Sequence, residues 1–106
     1  MLAREEEKME INQYMDKIKR AGVQSYYGCF CYAQNITAET ALTNKTPNSE
    51  YIRWITEKHR IFQQEKLLHN RVYSKDEQKR FFAWLKEEAK KERKEAIAKL
   101  NTTANI

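Results

Sequence analysis

Val72-Tyr73-Ser74-Lys75-Asp76-Glu77 is the turning point of this chain. Ser74 and Glu77 stand in the S-x-x-E pattern of a capping box, in which each side chain takes up a backbone N–H at a helix start. Downstream, Phe82, Leu85, Ala89, Ala96 and Leu100 recur at helical spacing, with Phe81 at the edge of the stripe. Upstream, Thr46-Pro47 reads as a cap followed by proline at the first helical position, and that helix is expected to run to about Val72. Trp54, Ile61 and Leu68 form one column along it, and Ile55, Phe62 and His69 an adjacent one; Tyr51 and Val72 widen the apolar face.

Only a residue or two separates these segments, so an antiparallel hairpin over 47–100 is the natural packing. Folded at Tyr73–Ser74, it sets Leu68 near Phe81, Ile61 near Glu88–Ala89, and Trp54 near Glu95–Ala96. Large side chains thus face small ones, as interdigitating layers require. Each arm holds about 25 residues, or roughly 37 Å of helix.

Towards the N-terminus the pattern weakens. Residues 3–21 place Ile11, Tyr14, Met15 and Ile18 at helical spacing and stop at Gly22, a good C-terminal signal. In the Tyr- and Cys-rich connector 23–46, Tyr26-Tyr27-Gly28-Cys29-Phe30-Cys31-Tyr32 is apolar without a 3.6-residue period. It fits a short strand, an irregular aromatic loop or a buried turn of helix. Asn35 then offers an N-cap for a brief helix through Leu42. The expected fold is mainly α: one small domain built on the long hairpin, with the first helix and an irregular aromatic segment packed on it. Residues 101–106 would form a short flexible tail.

Composition agrees. The chain has 106 residues, room for one domain with a modest core. Its two Gly and one Pro are too few for a sheet joined by tight turns. Net charge is +5 and unevenly placed. Residues 1–50 carry six basic and seven acidic side chains, residues 51–106 fourteen and eight. A basic half favours anionic partners, although a lysine-rich surface also keeps small helical domains in solution. The N-terminus is polar, and no run approaches the roughly 18 apolar residues of a membrane span. A cytoplasmic protein with free thiols is expected, and no membrane partner.

Catalytic chemistry finds little support. Cys29 and Cys31 could pair with His59 or His69 around a metal, but the histidines are about 15 Å apart along one expected helix. They cannot both reach one zinc ion. Core-filling thiols beside Phe30 are the simpler reading. No nucleophile elbow, P-loop, H-E-x-x-H or dinucleotide fingerprint is present, so no enzyme, cofactor, metal or small-molecule substrate is expected. Two DNA-binding patterns also fail. A helix-turn-helix over 41–54 lacks its turn glycine and has Asn44 and Thr46 where apolar residues belong. Ser49–Arg53 is similar to the start of a ribbon–helix–helix repressor helix, but no alternating strand precedes it.

Surface charge carries what remains. On the last helix Lys75, Lys79, Lys86, Lys90 and Arg93 share one flank of the apolar stripe, and Glu77, Glu88, Glu92 and Glu95 the other. They read either as edge charges meeting neighbouring helices or as a binding surface. Trp84 points off the stripe, with Arg80 and Lys91 on its side, as a partner anchor or as a residue covered by another segment. Arg53, Arg60 and Arg71 share the polar face of the preceding helix and could offer guanidinium groups to carboxylates or phosphates. Lys58 and Glu65 fall inside its apolar face, either snorkelling out or forming a polar seam. The expected function is a non-enzymatic module that docks on and modulates a larger protein. Small lysine-rich helical proteins of this kind are common among phage and mobile-element modulators of host nucleic-acid machinery. The alternative is a direct nucleic-acid binder, dimeric, using the basic half. Glu87, Glu88, Glu92 and Glu95 among the lysines weigh against it.

Overall fold

The computed structural model describes residues 10–43, 48–65 and 73–104. Five helices and no strand appear among them: α1 (Ile11–Arg20), α2 (Ser25–Ala33), α3 (Ala38–Thr43), α4 (Ser49–Glu65) and α5 (Lys75–Ala104). The protein is mainly α. Expected features at 1–9, 44–47 and 66–72, including the Thr46–Pro47 cap, the Leu68 and His69 positions and Arg71, lie outside the described residues.

α1 buries Ile11, Tyr14, Met15 and Ile18, the four residues that its spacing singles out. Gly22 ends it at φ +85°, where a side chain would be strained. Its N–H reaches the Lys19 carbonyl at 2.9 Å and the Val23 N–H reaches that of Ile18 at 3.1 Å, the paired bonds of a Schellman motif.

The aromatic connector is itself a helix, and the core is built around it. Tyr27 through Ala33 are all buried on α2, which packs against α1, α3, α4 and, most extensively, α5. A helix covered on every side has no polar face, so no 3.6-residue alternation marks it in the sequence. Asn35 does not cap the next helix. At φ +59° it closes α2 with a second Schellman pair, Asn35 N–H to the Tyr32 carbonyl (3.1 Å) and Ile36 N–H to that of Cys31 (3.0 Å). The cap of α3 is Thr37, whose hydroxyl accepts the Thr40 N–H at 3.2 Å.

α4 starts at Asn48, whose Oδ1 accepts the Tyr51 N–H at 2.9 Å. The Ser74–Glu77 capping box of α5 forms as its sequence indicates, with bonds of 2.9 and 3.2 Å. The buried row of α5 is Phe81, Leu85, Ala89 and Arg93, rotated from the expected stripe because it faces α2 rather than α4 alone. Phe81, which opens the row, is fully buried, whereas Leu100 is exposed. The helix continues to Ala104, past the expected end at Leu100, since each further residue adds a hydrogen bond and no breaker intervenes.

α4 and α5 run antiparallel and meet largely through side chains: Trp54 with Glu92, Lys58 with Glu88, and Phe62 with Phe81 and Trp84. The register differs by about one helical turn from that drawn from column matching. α2 stands between parts of the two helices, setting Phe30 edge-to-face with Tyr51 (5.6 Å) and Trp54 (5.5 Å), and Tyr26 edge-to-face with Phe81 (5.3 Å).

Gly28 explains how α1 reaches this hub. A Cβ there would run into Ile18 Cδ1 and lie 3.0 Å from Met15 Cε. Gly28→Ala should therefore destabilise the protein by about 1–3 kcal/mol through overpacking. Helix propensity alone would give the opposite sign, a gain of up to about 1 kcal/mol. Urea denaturation decides between them.

Candidate functional site

The charged seam between α4 and α5 is closed internally. Lys58 Nζ lies 2.9 Å from Glu92 Oε2 and 3.3 Å from Glu88 Oε1. It also sits over the rings of Trp54 (5.7 Å) and Trp84 (5.9 Å). Burial by itself would push the ammonium down, but the two carboxylates outweigh it and hold Lys58 above the ordinary lysine value. Trp54 Nε1–H donates to Glu92 Oε1 at 2.9 Å, which fixes that carboxylate. The lysine inside the apolar face of α4 thus has its partners on α5. Trp84 lies along the same seam, half-buried, with its ring 5.5 Å from Phe62 and 6.0 Å from Phe81.

Internal pairing sorts the other candidate cations. Arg80 pairs with Asp76, Lys90 with Glu87 at 3.0 Å, and Lys91 with Glu88 at 3.4 Å. Arg60 is held by Glu57 and Gln64 on its own helix. Arg93 is not part of a surface flank: it is 3% exposed. Its guanidinium lies 4.3 Å from the Tyr32 ring and 5.9 Å from that of Tyr14, and Nη1 donates to the Tyr32 carbonyl at 3.1 Å. α2 has no basic residue in its own last turn, so Arg93 brings the cation that a helix C-terminus favours. Spacing alone placed Arg93 among the lysines because an arginine at a buried turn looks like any other charge.

Of the candidate surface cations, Lys75, Lys79, Lys86 and Arg53 have no ion pair among the described residues. Lys75 and Lys79 are exposed and, with Ser25, Tyr26, Gln78 and Phe82, line a groove of about 450 Å³. Lys86 extends over the Phe82 ring at 5.0 Å and reaches Asn12 Oδ1 at 3.4 Å. Arg53 lies far from them in the chain, on α4. It lines a second groove of about 390 Å³ with Phe30, Gln34, Trp54, Lys58 and the carboxylates of Glu50, Glu57 and Glu92. The spacing assigned Phe82 to the core stripe of its helix, and Tyr26 sits in the segment without a period, so the sequence did not bring the two rings together.

The potential nucleophiles are shielded. Cys29 and Cys31 are buried; burial pushes the Cys29 thiol up to about 12 and raises Cys31 too. Neutral thiols are poor nucleophiles. His59 stacks on Phe81 (4.3 Å, 11° between planes), with Nδ1 3.0 Å from the Tyr73 hydroxyl. Burial lowers its pKa. No family model, curated protein or solved structure matches this chain.

Two expectations follow from these contacts. Trp84→Ala should cost about 2–4 kcal/mol, somewhat less than truncating a fully buried Trp, because it empties the space between Phe62, Phe81 and Lys58. The check is the fall in melting temperature. His59 has a folded pKa below the value of 6.5 it takes when unfolded, so the unfolded chain takes up the proton first. Its contribution is complete above pH 6.5 and declines as pH drops through that value towards the folded pKa. The urea midpoint should fall between pH 7 and pH 5 by more in the native protein than in His59→Gln.

Proposed function

We propose that this protein is a non-enzymatic helical interaction module that docks on a larger protein. The partner class is host nucleic-acid-processing machinery, the target that a small phage- or mobile-element-type modulator would address. The observation that supports this reading most is the groove of Arg53. The guanidinium has no described carboxylate partner, and it stands beside the half-buried Trp54 and above Phe30. Next to it Ile52 is 57% exposed, one of the two large apolar side chains so exposed among the described residues. Arginine and tryptophan beside an aliphatic contact are the residue types in which binding energy concentrates. Such a surface suits a partner segment of mixed charge, with a carboxylate for Arg53, a cation for Glu50 and Glu57, and an aliphatic side chain for Trp54. Arg60, Arg80 and Lys91 are engaged with neighbours on their own helices, which leaves Arg53 the more available cation on this side.

The burial of Cys29 and Cys31, whose thiols are held neutral, supports the non-enzymatic part of the reading. The test is affinity capture from the native host with the wild-type chain and with Arg53→Glu and Ile52→Asp. Both positions are exposed, so thermal stability should change by no more than about 0.5 kcal/mol. Binding of the captured partner should weaken by more than about 1 kcal/mol in each variant. Identical captured proteins and affinities for all three chains would count against docking through this groove.

A further inference from the structure

Besides the α4 groove, on a separate set of residues, we infer a binding site for single-stranded nucleic acid formed by Lys75, Lys79 and Lys86 around the rings of Tyr26 and Phe82. Most of the acidic residues that dilute the basic half in the sequence are turned to other work in the fold, while Glu95 stays exposed. Glu88 and Glu92 hold Lys58, and Glu87 holds Lys90. Asp76 is bound to Arg80, and Glu77 caps Ser74. The three lysines are left without a carboxylate among the described residues, on one flank of α5. Lys75 and Lys79 lie one helical turn apart and Lys86 two turns further on, about 16 Å from first to last along the axis. A line of cations of that length follows a phosphate backbone rather than a single phosphate.

The aromatic rings decide the form of the nucleic acid. Tyr26 and Phe82, both half-buried, line the groove between Lys75 and Lys79, with their centroids 6.1 Å apart and planes tilted by 42°. Tyr26 is held edge-on against Phe81 at 5.3 Å, and Phe82 is covered in part by the Lys86 ammonium. Aromatic side chains within a cationic groove accept bases by stacking, which an intact duplex cannot offer because its bases are already stacked. Among the described residues Lys86 is held by the 3.4 Å contact to Asn12 and by the Phe82 ring, so it can leave the ring for a phosphate when a base takes its place. Gln78 and Ser25, which also line the groove, supply polar contacts at its rim.

The experiment is fluorescence anisotropy with a labelled oligothymidylate strand and with the same strand annealed to oligoadenylate, over a series of salt concentrations. The full-length protein should bind the single strand with a log–log salt slope of about −2, from three phosphates neutralised at roughly −0.7 each. The duplex should bind at least about tenfold more weakly, the loss of one stacked base. Lys75→Glu with Lys79→Glu should cut the slope to about −0.7 and weaken binding by roughly tenfold or more. Both residues lie in the first turns of α5, where carboxylates favour the helix, so a loss of folding does not enter. Phe82→Leu should weaken the single strand and leave the salt slope unchanged, the sign of lost stacking rather than lost charge. Undetectable binding at low salt, equal affinity for duplex and single strand, or a Lys75/Lys79 reversal without effect would each overturn the site.

Discussion

A nine-residue helix buried on every side imposes a severe condition on the rest of a small protein, because each neighbour must present it an apolar surface at close range. α2 is that helix. α1 meets it at Gly28, where the missing side chain makes room for Ile18 and Met15. α5 meets it with the row Phe81, Leu85 and Ala89, and α4 with Tyr51 and Trp54. Small residues allow backbones to approach and large ones fill the corners, as close packing demands. The two long helices are therefore splayed around α2 rather than zipped directly together, and their contact falls to long side chains.

The same condition governs the polar groups. Both ends of a buried helix carry unpaired backbone groups that water cannot serve. The C-terminal end of α2 is closed by the Asn35 turn, and Arg93 of α5 reaches over to the Tyr32 carbonyl between two tyrosine rings. A second internal charge, Lys58, has two carboxylates and two indole faces. Breaking such an arrangement by removing one member is costly, because the remaining charge is left desolvated. These two cations belong to the framework, and the surface is defined by what they leave behind.

What they leave behind is divided. Glu88 and Glu92 of α5 are drawn to Lys58 of α4 and Glu87 to Lys90, while Lys75, Lys79 and Lys86 stay together on the flank next to α1 and α2. On the other side, the Arg53 groove mixes a guanidinium with an indole and the carboxylates of Glu50 and Glu57, and the exposed Ile52 is the chain neighbour of Arg53. The first surface has the chemistry of a phosphate chain with bases, the second that of a protein segment.

Local rules sufficed for much of the fold. Ile11, Tyr14, Met15 and Ile18 declare the buried face of α1 by spacing, Gly22 its end, and the Ser74–Glu77 pair the start of α5, because each signal is carried by residues within a turn or two. Nothing local could reveal α2, whose even apolar character comes from neighbours distant in the chain. Nor could it reveal the stripe of α5, which turns on which helix it faces. The register of α4 on α5 was out of reach for the same reason: column matching assumed direct contact, and α2 intervenes. For the candidate sites, residue type and helical flank were legible, so Lys75, Lys79, Lys86 and Arg53 could be named from the sequence. Only the tertiary structure separated them from Arg93, Arg80, Lys90 and Lys91, since whether a charge is exposed or neutralised depends on its burial and partners rather than on its own identity.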